Sequence, residues 1–306
     1  MLFNHYHILG QNNGRATFLV DLYIMMLETI VDYFATIPSA HRTIIIAGGL
    51  TIFSLIESAV PLMSLDYSRW RHAKVNLFFT LTTILVNFFL AFLLVMSSDW
   101  VVASGVGVLQ WVAMPLWAQL IVGLLLLDLI GAYTAHWVEH HVKWMWKFHV
   151  VHHTDQHVDT TTANRHHPGE SVIRLVFTIL AVIVCGAPLW VVFMYQSLSV
   201  VLSQFNHANI ILPSWIDRIL VLFICTPNMH HVHHHYRMPY SDTNYGNIFS
   251  IWDRLFMTYS KVDNTKLVYG VDTYMSEGET DDIVGILKIP VKPYKGHIEY
   301  PTEEVL

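Results

Sequence analysis

Charge is scarce in this chain of 306 residues: 13% are Asp, Glu, Lys or Arg, against 54% hydrophobic. A soluble domain carries roughly 25% charged residues, so this composition excludes disorder and favours a chain solvated by lipid. Cysteine is rarer still. Cys185 and Cys225 are the two present, both in apolar stretches, which excludes a disulfide framework and a thiolate metal site of the CxxC kind. Clustered basic charge is missing too. With a formal net charge of −6, the electrostatic footprint of a nucleic-acid binder is absent, and no such partner is expected. Nor does the first apolar stretch read as a cleavable leader, because it has no basic flank and is interrupted by Asp21, Glu28 and Asp32.

Long uncharged runs are what the chain has instead. Residues 43–65 carry one charge, Glu57, and residues 75–96 carry none, so both are long enough to cross a bilayer. Their connector holds Arg69, Arg71 and Lys74, which the positive-inside rule assigns to the cytoplasm. Residues 97–117 lack Lys and Arg and carry three tryptophans, as an outer interfacial loop does. Residues 116–135 then cross inward with Asp128 as the only charge. The stretch 172–205 is broken at Cys185-Gly186-Ala187-Pro188, which predicts a bent hairpin of two arms returning to one face. Residues 16–37, apolar but with three acids, read as an interfacial or partly inserted helix. The expectation is an all-α integral membrane protein with about four transmembrane helices, the bent hairpin included, and a cytoplasmic histidine-rich cap able to hold two metals. It divides into N-terminal membrane helices (1–115), a catalytic segment (116–260) and a polar C-terminal tail (261–306). A bacterial inner membrane is favoured over the endoplasmic reticulum.

Histidine is the outlier. Of the 20 in the chain, fifteen fall between His136 and His235. Three spacings stand out: His136 and His140 in HxxxH, His149, His152 and His153 in HxxHH, and His230, His233 and His234 in a second HxxHH. On a helix, residues three and four apart share a face, so two matching three-histidine faces suggest two metals. With His207 the set reaches nine, too many for one zinc with three protein ligands and a water. Two ions with four or five ligands each would use them all. Imidazole suits iron, zinc, copper and nickel alike, so the ligands do not choose the metal. His141, His231 and His235 point away from the ligand faces, and His157 and His167 are ambiguous. His5, His7, His41, His72 and His297 read as ordinary polar side chains. Asp128, an acid late in an apolar span, is a candidate to orient a ligand imidazole, and His167 is a second candidate for such a role. Glu139 lies inside the first cluster, but the HExxH order of a zinc protease is absent. Arg165-His-His167-Pro168 could fix the loop after the second cluster or contact a lipid headgroup.

Together these spacings resemble the eight-histidine signature of the fatty acid hydroxylase/sterol desaturase superfamily of integral-membrane di-iron enzymes. The likeness extends to Arg165-His-His167-Pro168 (RxHP), Asn206-His207-Ala-Asn209 (NHAN), Asn244-Tyr-Gly246 (NYG) and Trp252-Asp253-Arg254-Leu-Phe256 (WDRLF), covering about residues 116–260. Two departures stand out: Met229 occupies a position often held by histidine, which would lose that role or move it to His231, and Met257 occupies one commonly held by glycine. His167-Pro-Gly-Glu170 is superficially similar to the HPGG haem motif of cytochrome b5. No haem-binding fold is expected around it.

The resemblance implies two iron ions, molecular oxygen and an external electron donor, supplied by a separate cytochrome b5-like or ferredoxin-like protein. It implies that His136, His140, His149, His152, His153, His230, His233 and His234 are catalytic, with His207 added as a metal ligand. The implied activity is O2-dependent hydroxylation of a C–H bond in a lipid such as a sterol, a fatty acyl chain or an alkylglycerol. Desaturation by the same centre is the alternative. A histidine-rich metal transporter, a membrane metalloprotease and a haem-binding bundle are less favoured, since transporter ligands belong near the bilayer midplane and these clusters follow the spans on one side.

Overall fold

The computed structural model describes residues 14–276, 280–296 and 298. His5, His7 and His297 lie outside the described residues. The described chain is helical, with no strand and three isolated bridges. Helix α1 spans Gly14–Ala35, α2 Ser39–Ala59 and α3 Arg69–Ser104; the short α4 (Val108–Trp111) precedes α5 (Leu116–Asp128). A π-helical turn at Leu129–Thr134 carries α5 into α6 (Ala135–His141), and α7 follows at Lys143–His153. Next come α8 (Pro168–Cys185) and α9 (Leu189–His207), then α10 (Ser214–Leu220), α11 (Pro227–His233), α12 (Ile251–Leu255) and α13 (Ile283–Leu287).

Four stretches are long and apolar enough to cross a membrane: Ser39–Ala59, Arg69–Trp111, Leu116–His141 and Pro168–Cys185. The chain is an integral membrane protein. Helices α8 and α9 form the expected bent hairpin. Gly186 ends α8 with a left-handed φ of 70°, and a Cβ there would lie 2.6 Å from the carbonyl oxygen of Val106. Glycine is therefore required both for the turn and for its close approach to the loop after α3. Pro188 starts the return arm. Helix α1 packs on α9 and is not among the four spanning stretches.

Buried clusters join residues from both sides of position 115. Leu94 and Val101 of α3 share one buried cluster with Leu127, Ala181, Val182, Val191, Val192 and Ile248. Near the start of α3, Val75 and Phe79 pack with Trp146, Val150 and Val151 of α7 and with Val271, Tyr274, Ile286 and Ile289 of the tail. Phe79 is fully buried; truncating such a side chain to alanine costs about 3–5 kcal/mol. Polar contacts reinforce the join. Glu57 accepts from the Thr160 amide at 3.1 Å, the Thr160 hydroxyl at 2.9 Å and the Asn209 amide at 3.1 Å, and pairs with Arg69 at 3.1 Å. His72 lies buried between Asp155 at 2.7 Å and Asp159 at 3.1 Å, outside the histidine clusters. The α2–α3 hairpin is thus fastened to the loop following α7.

Candidate metal centre

Helices α6, α7, α9 and α11 deliver their histidines to one buried volume. Five of them, His136, His140, His149, His153 and His233, present ring nitrogens within 4.8 Å of one another. Four more, His152, His207, His230 and His234, form a second such group. All nine histidines singled out in the sequence are brought together. The grouping differs from the expected one, however. Neither HxxHH triplet keeps to itself: the first sends His149 and His153 to the larger group and His152 to the smaller, and the second sends His233 to the larger and His230 and His234 to the smaller. The reason lies in packing. Positions i and i+3 on one short helix diverge by roughly 60° around its axis, so two helices facing each other mix their histidines.

Hydrogen bonds orient the rings. Nδ1–H of His136 donates to the carbonyl of Tyr245 at 2.8 Å, that of His207 to Ser203 at 2.7 Å, and that of His233 to Thr243 at 2.7 Å. Nδ1–H of His149 donates to Glu170 Oε1 at 2.8 Å. Each of these bonds leaves the Nε2 lone pair facing inward. Nε2 of His207 then stands 3.1 Å from Nε2 of both His152 and His230, and Nε2 of His153 stands 3.2 Å from Nε2 of both His140 and His149. Ligands about 2.0–2.1 Å from one ion, at angles between octahedral and tetrahedral, are separated by about 2.9–3.4 Å. Nε2 of His136 and His233, and both ring nitrogens of His234, are buried with no hydrogen-bond partner. Unpaired buried nitrogens at coordination spacing fit bound metal and fit little else. Burial, aided by neighbouring imidazoles, holds His152, His153, His230, His233 and His234 well below the ordinary imidazole range. They are neutral, the form that binds metal.

Around the larger group lies an ion pair, Glu170 with Arg174, whose place beside the histidines sequence reasoning missed. Glu170, in the first turn of α8, accepts from His149, from His166 at 2.7 Å and from Arg174 at 3.0 Å. Arg174 also pairs with Glu139 at 2.8 Å. Arg174 is the single charge of the hairpin stretch, and its place one helical turn after Glu170 was the available signal. His149, His166 and Glu170 form a third set of clustered ligand atoms, sharing His149 with the larger group.

Other expected roles are revised. Asp128 touches no imidazole: it accepts from the amides of Ile248 and Phe249 at 3.2 and 3.1 Å and from the Trp252 indole at 2.9 Å. Its buried carboxylate is consumed in holding that turn. His167 caps α8, its Nδ1 accepting from the Gly169 amide at 2.9 Å, while Nε2–H donates to Leu287, so it neither joins nor orients the cluster. His157 stacks on Tyr67 with ring centroids 4.2 Å apart, outside the clusters. Arg165 is buried and bonds Val151, Asn76, Thr154 and Thr280; it fixes the loop. His231 does not replace a histidine at Met229, because its Nε2 bonds the His207 carbonyl and its Nδ1 the Tyr269 hydroxyl.

Residues 120–258 match the family described as fatty acid hydroxylase. The chain is 27% identical over 150 residues to ornithine lipid hydroxylase of Rhizobium tropici, covering 49% of this chain and 43% of that protein. It is 30% identical over 148 residues to alkylglycerol monooxygenase of Homo sapiens and 31% over 151 residues to that of Danio rerio, each covering 46% of this chain and 30% of the relative. The chain thus spans less than half the length of these curated relatives. No solved structure matches it.

Proposed function

Because residues 120–258 belong to the fatty acid hydroxylase/sterol desaturase superfamily, we propose that this chain is a membrane-bound, O2-dependent lipid hydroxylase with two irons held by its nine clustered histidines. The observation that carries the reading is the division of those histidines into groups of five and four, with inward lone pairs set by bonds to Tyr245, Ser203, Thr243 and Glu170. His136, His140, His149, His153 and His233 would hold one ion and His152, His207, His230 and His234 the other. When bound, the irons supply the redox chemistry by which one oxygen atom of O2 enters a C–H bond and the other leaves as water, consuming two electrons and two protons.

The protein's part is positioning and exclusion of water. The ligand nitrogens are buried, and four of the rings are fixed by hydrogen bonds. The substrate is a lipid, consistent with relatives named for an ornithine lipid and an alkylglycerol. Those names, hydroxylase and monooxygenase, favour hydroxylation over desaturation. Electrons come from a separate donor protein, and the basic connector at Arg69–Lys74 favours a cytoplasmic placement of the histidines. Elemental analysis of detergent-purified protein, followed by O2-dependent turnover of a lipid panel, tests the reading. About two irons per chain and an oxygenated product are expected; zinc alone in folded protein, or product formed without O2, would overturn it.

A further inference from the structure

Two short stretches outside the four spanning helices carry large apolar side chains that nothing among the described residues covers. Helix α10 and the turn after it expose Trp215, Ile219, Leu222 and Phe223; the end of α12 and the turn that follows expose Leu255, Phe256 and Met257. The two stretches are neighbours. The Ser250 amide donates to the Phe223 carbonyl, the Ser250 hydroxyl to the Val221 carbonyl, and the Cys225 amide to the Ile248 carbonyl. Asp128 sets their height, since it holds the amides of Ile248 and Phe249 and the Trp252 indole. Asp128 lies eight residues before His136 on the same spanning stretch, about 12 Å along a helix rising 1.5 Å per residue. The turn that joins the two stretches therefore stands on the membrane side of the histidines.

We propose that residues 214–223 and 251–257 form a re-entrant surface seated in the bilayer, its occupant the acyl chains and headgroups of the leaflet nearest the histidines. Three observations support this assignment beyond the exposure itself. First, the backbone amides are satisfied from within. The amides of Val221, Leu222, Phe223, Ile224 and Cys225 donate to Asp217, Ile219, Leu220, Leu220 and Ile248, and those of Phe256, Met257 and Thr258 to Trp252, Arg254 and Asp253. At the level of the hydrocarbon no water is at hand to bond an amide, so amides seated there must be paired within the protein.

Second, charge is sorted. Asp217 and Asp253 are buried, bonded to Thr226 and to the amides of Tyr245 and Gly246, while Arg218 is exposed and Arg254 half-buried. Buried acids beside the exposed Arg218 suit an anionic headgroup layer, with Arg254 bonded to Ser250 behind it. Third, Met257 has a φ of 59° and is 91% exposed. Its left-handed backbone favours glycine, so a fully displayed methionine there has its use outside the fold.

The test uses the full chain in phosphatidylcholine/phosphatidylglycerol vesicles, with nitroxide labels on Leu222→Cys, Met257→Cys and the tail control Val291→Cys. Cys185 and Cys225 are buried, and all three new positions are exposed, so labels attach there without entering the core. Collisions with dissolved oxygen and with a water-soluble nickel chelate are compared. Labels at 222 and 257 are expected to favour oxygen several-fold over the 291 label. Nickel access at 222 and 257 equal to that at 291 would place the patch in water and overturn the proposal. Shielding from both reagents that disappears as the chain is diluted among vesicles would assign the patch to a second copy instead, and would overturn it equally.

Discussion

Glu170 Oε1 lies 2.8 Å from Nδ1 of His149, and both side chains are fully buried. A single carboxylate oxygen thereby fixes the tautomer of a ring in the five-histidine group while also meeting His166 and Arg174. Such partners of metal-binding imidazoles are worth about 10–100-fold in metal affinity. Glu170→Ala should lower iron retention against a chelator by about that factor, with Glu170→Gln falling less because its amide oxygen still accepts from Nδ1–H. Unchanged retention in both variants, read by elemental analysis after chelator challenge, would remove Glu170 from the centre.

His152 and His153 are adjacent in sequence yet belong to different groups, which gives a sharper test than removing all histidines. His152→Ala leaves three rings in the four-histidine group and should bring the chain to about one metal atom. His153→Ala leaves four rings in the five-histidine group and should retain more. Both should abolish O2-dependent turnover, since the reading requires two ions acting together. Identical metal loss in the two variants would show that the groups do not bind independently.

The spans and the clustered histidines were legible in the sequence for different reasons. Long apolar runs with one charge or none declare themselves against a bilayer, and four stretches long and apolar enough to cross it are present. The clustered histidines declared themselves by repetition at helical spacing. What remained hidden is what depends on how helices face each other. The split of each HxxHH between two groups follows from the approach of α7 to α11, which no spacing encodes. Glu170 and Arg174 were hidden because an acid and a base within an apolar helix look like its polar end. Asp128 was recognised as costly to bury, but its partners Ile248, Phe249 and Trp252 lie about 120 residues away, beyond any local pattern.

Asp128→Ala should therefore act on stability rather than on the metal. It leaves two amides and an indole N–H buried without an acceptor, at about 1–3 kcal/mol for each unsatisfied donor. The thermal midpoint of the detergent-solubilised protein should fall by several degrees or more, with Asp128→Asn intermediate because one side-chain oxygen can still accept. Metal content of the remaining folded protein should stay at the wild-type value. Metal loss without destabilisation would mean that Asp128 acts on the imidazoles after all.

Acid should unfold the metal-free protein in a defined window. Burial pushes His149 and His231 down to about 4, while an unfolded chain protonates imidazole near about 6.5. Between those values the unfolded state binds more protons than the folded one, so stability falls as pH drops from about 6.5 towards 4. Each such ring contributes on the order of 3 kcal/mol to that loss, and the five held well below the ordinary range extend it. Bound metal opposes this, since ligand nitrogens cannot take protons without releasing the ion. Tryptophan fluorescence followed from pH 8 to 4 should show the metal-free chain unfolding at a higher pH than the loaded one, with iron release coinciding with the loaded transition. Equal acid midpoints for the two forms would mean that the buried imidazoles do not hold the metal.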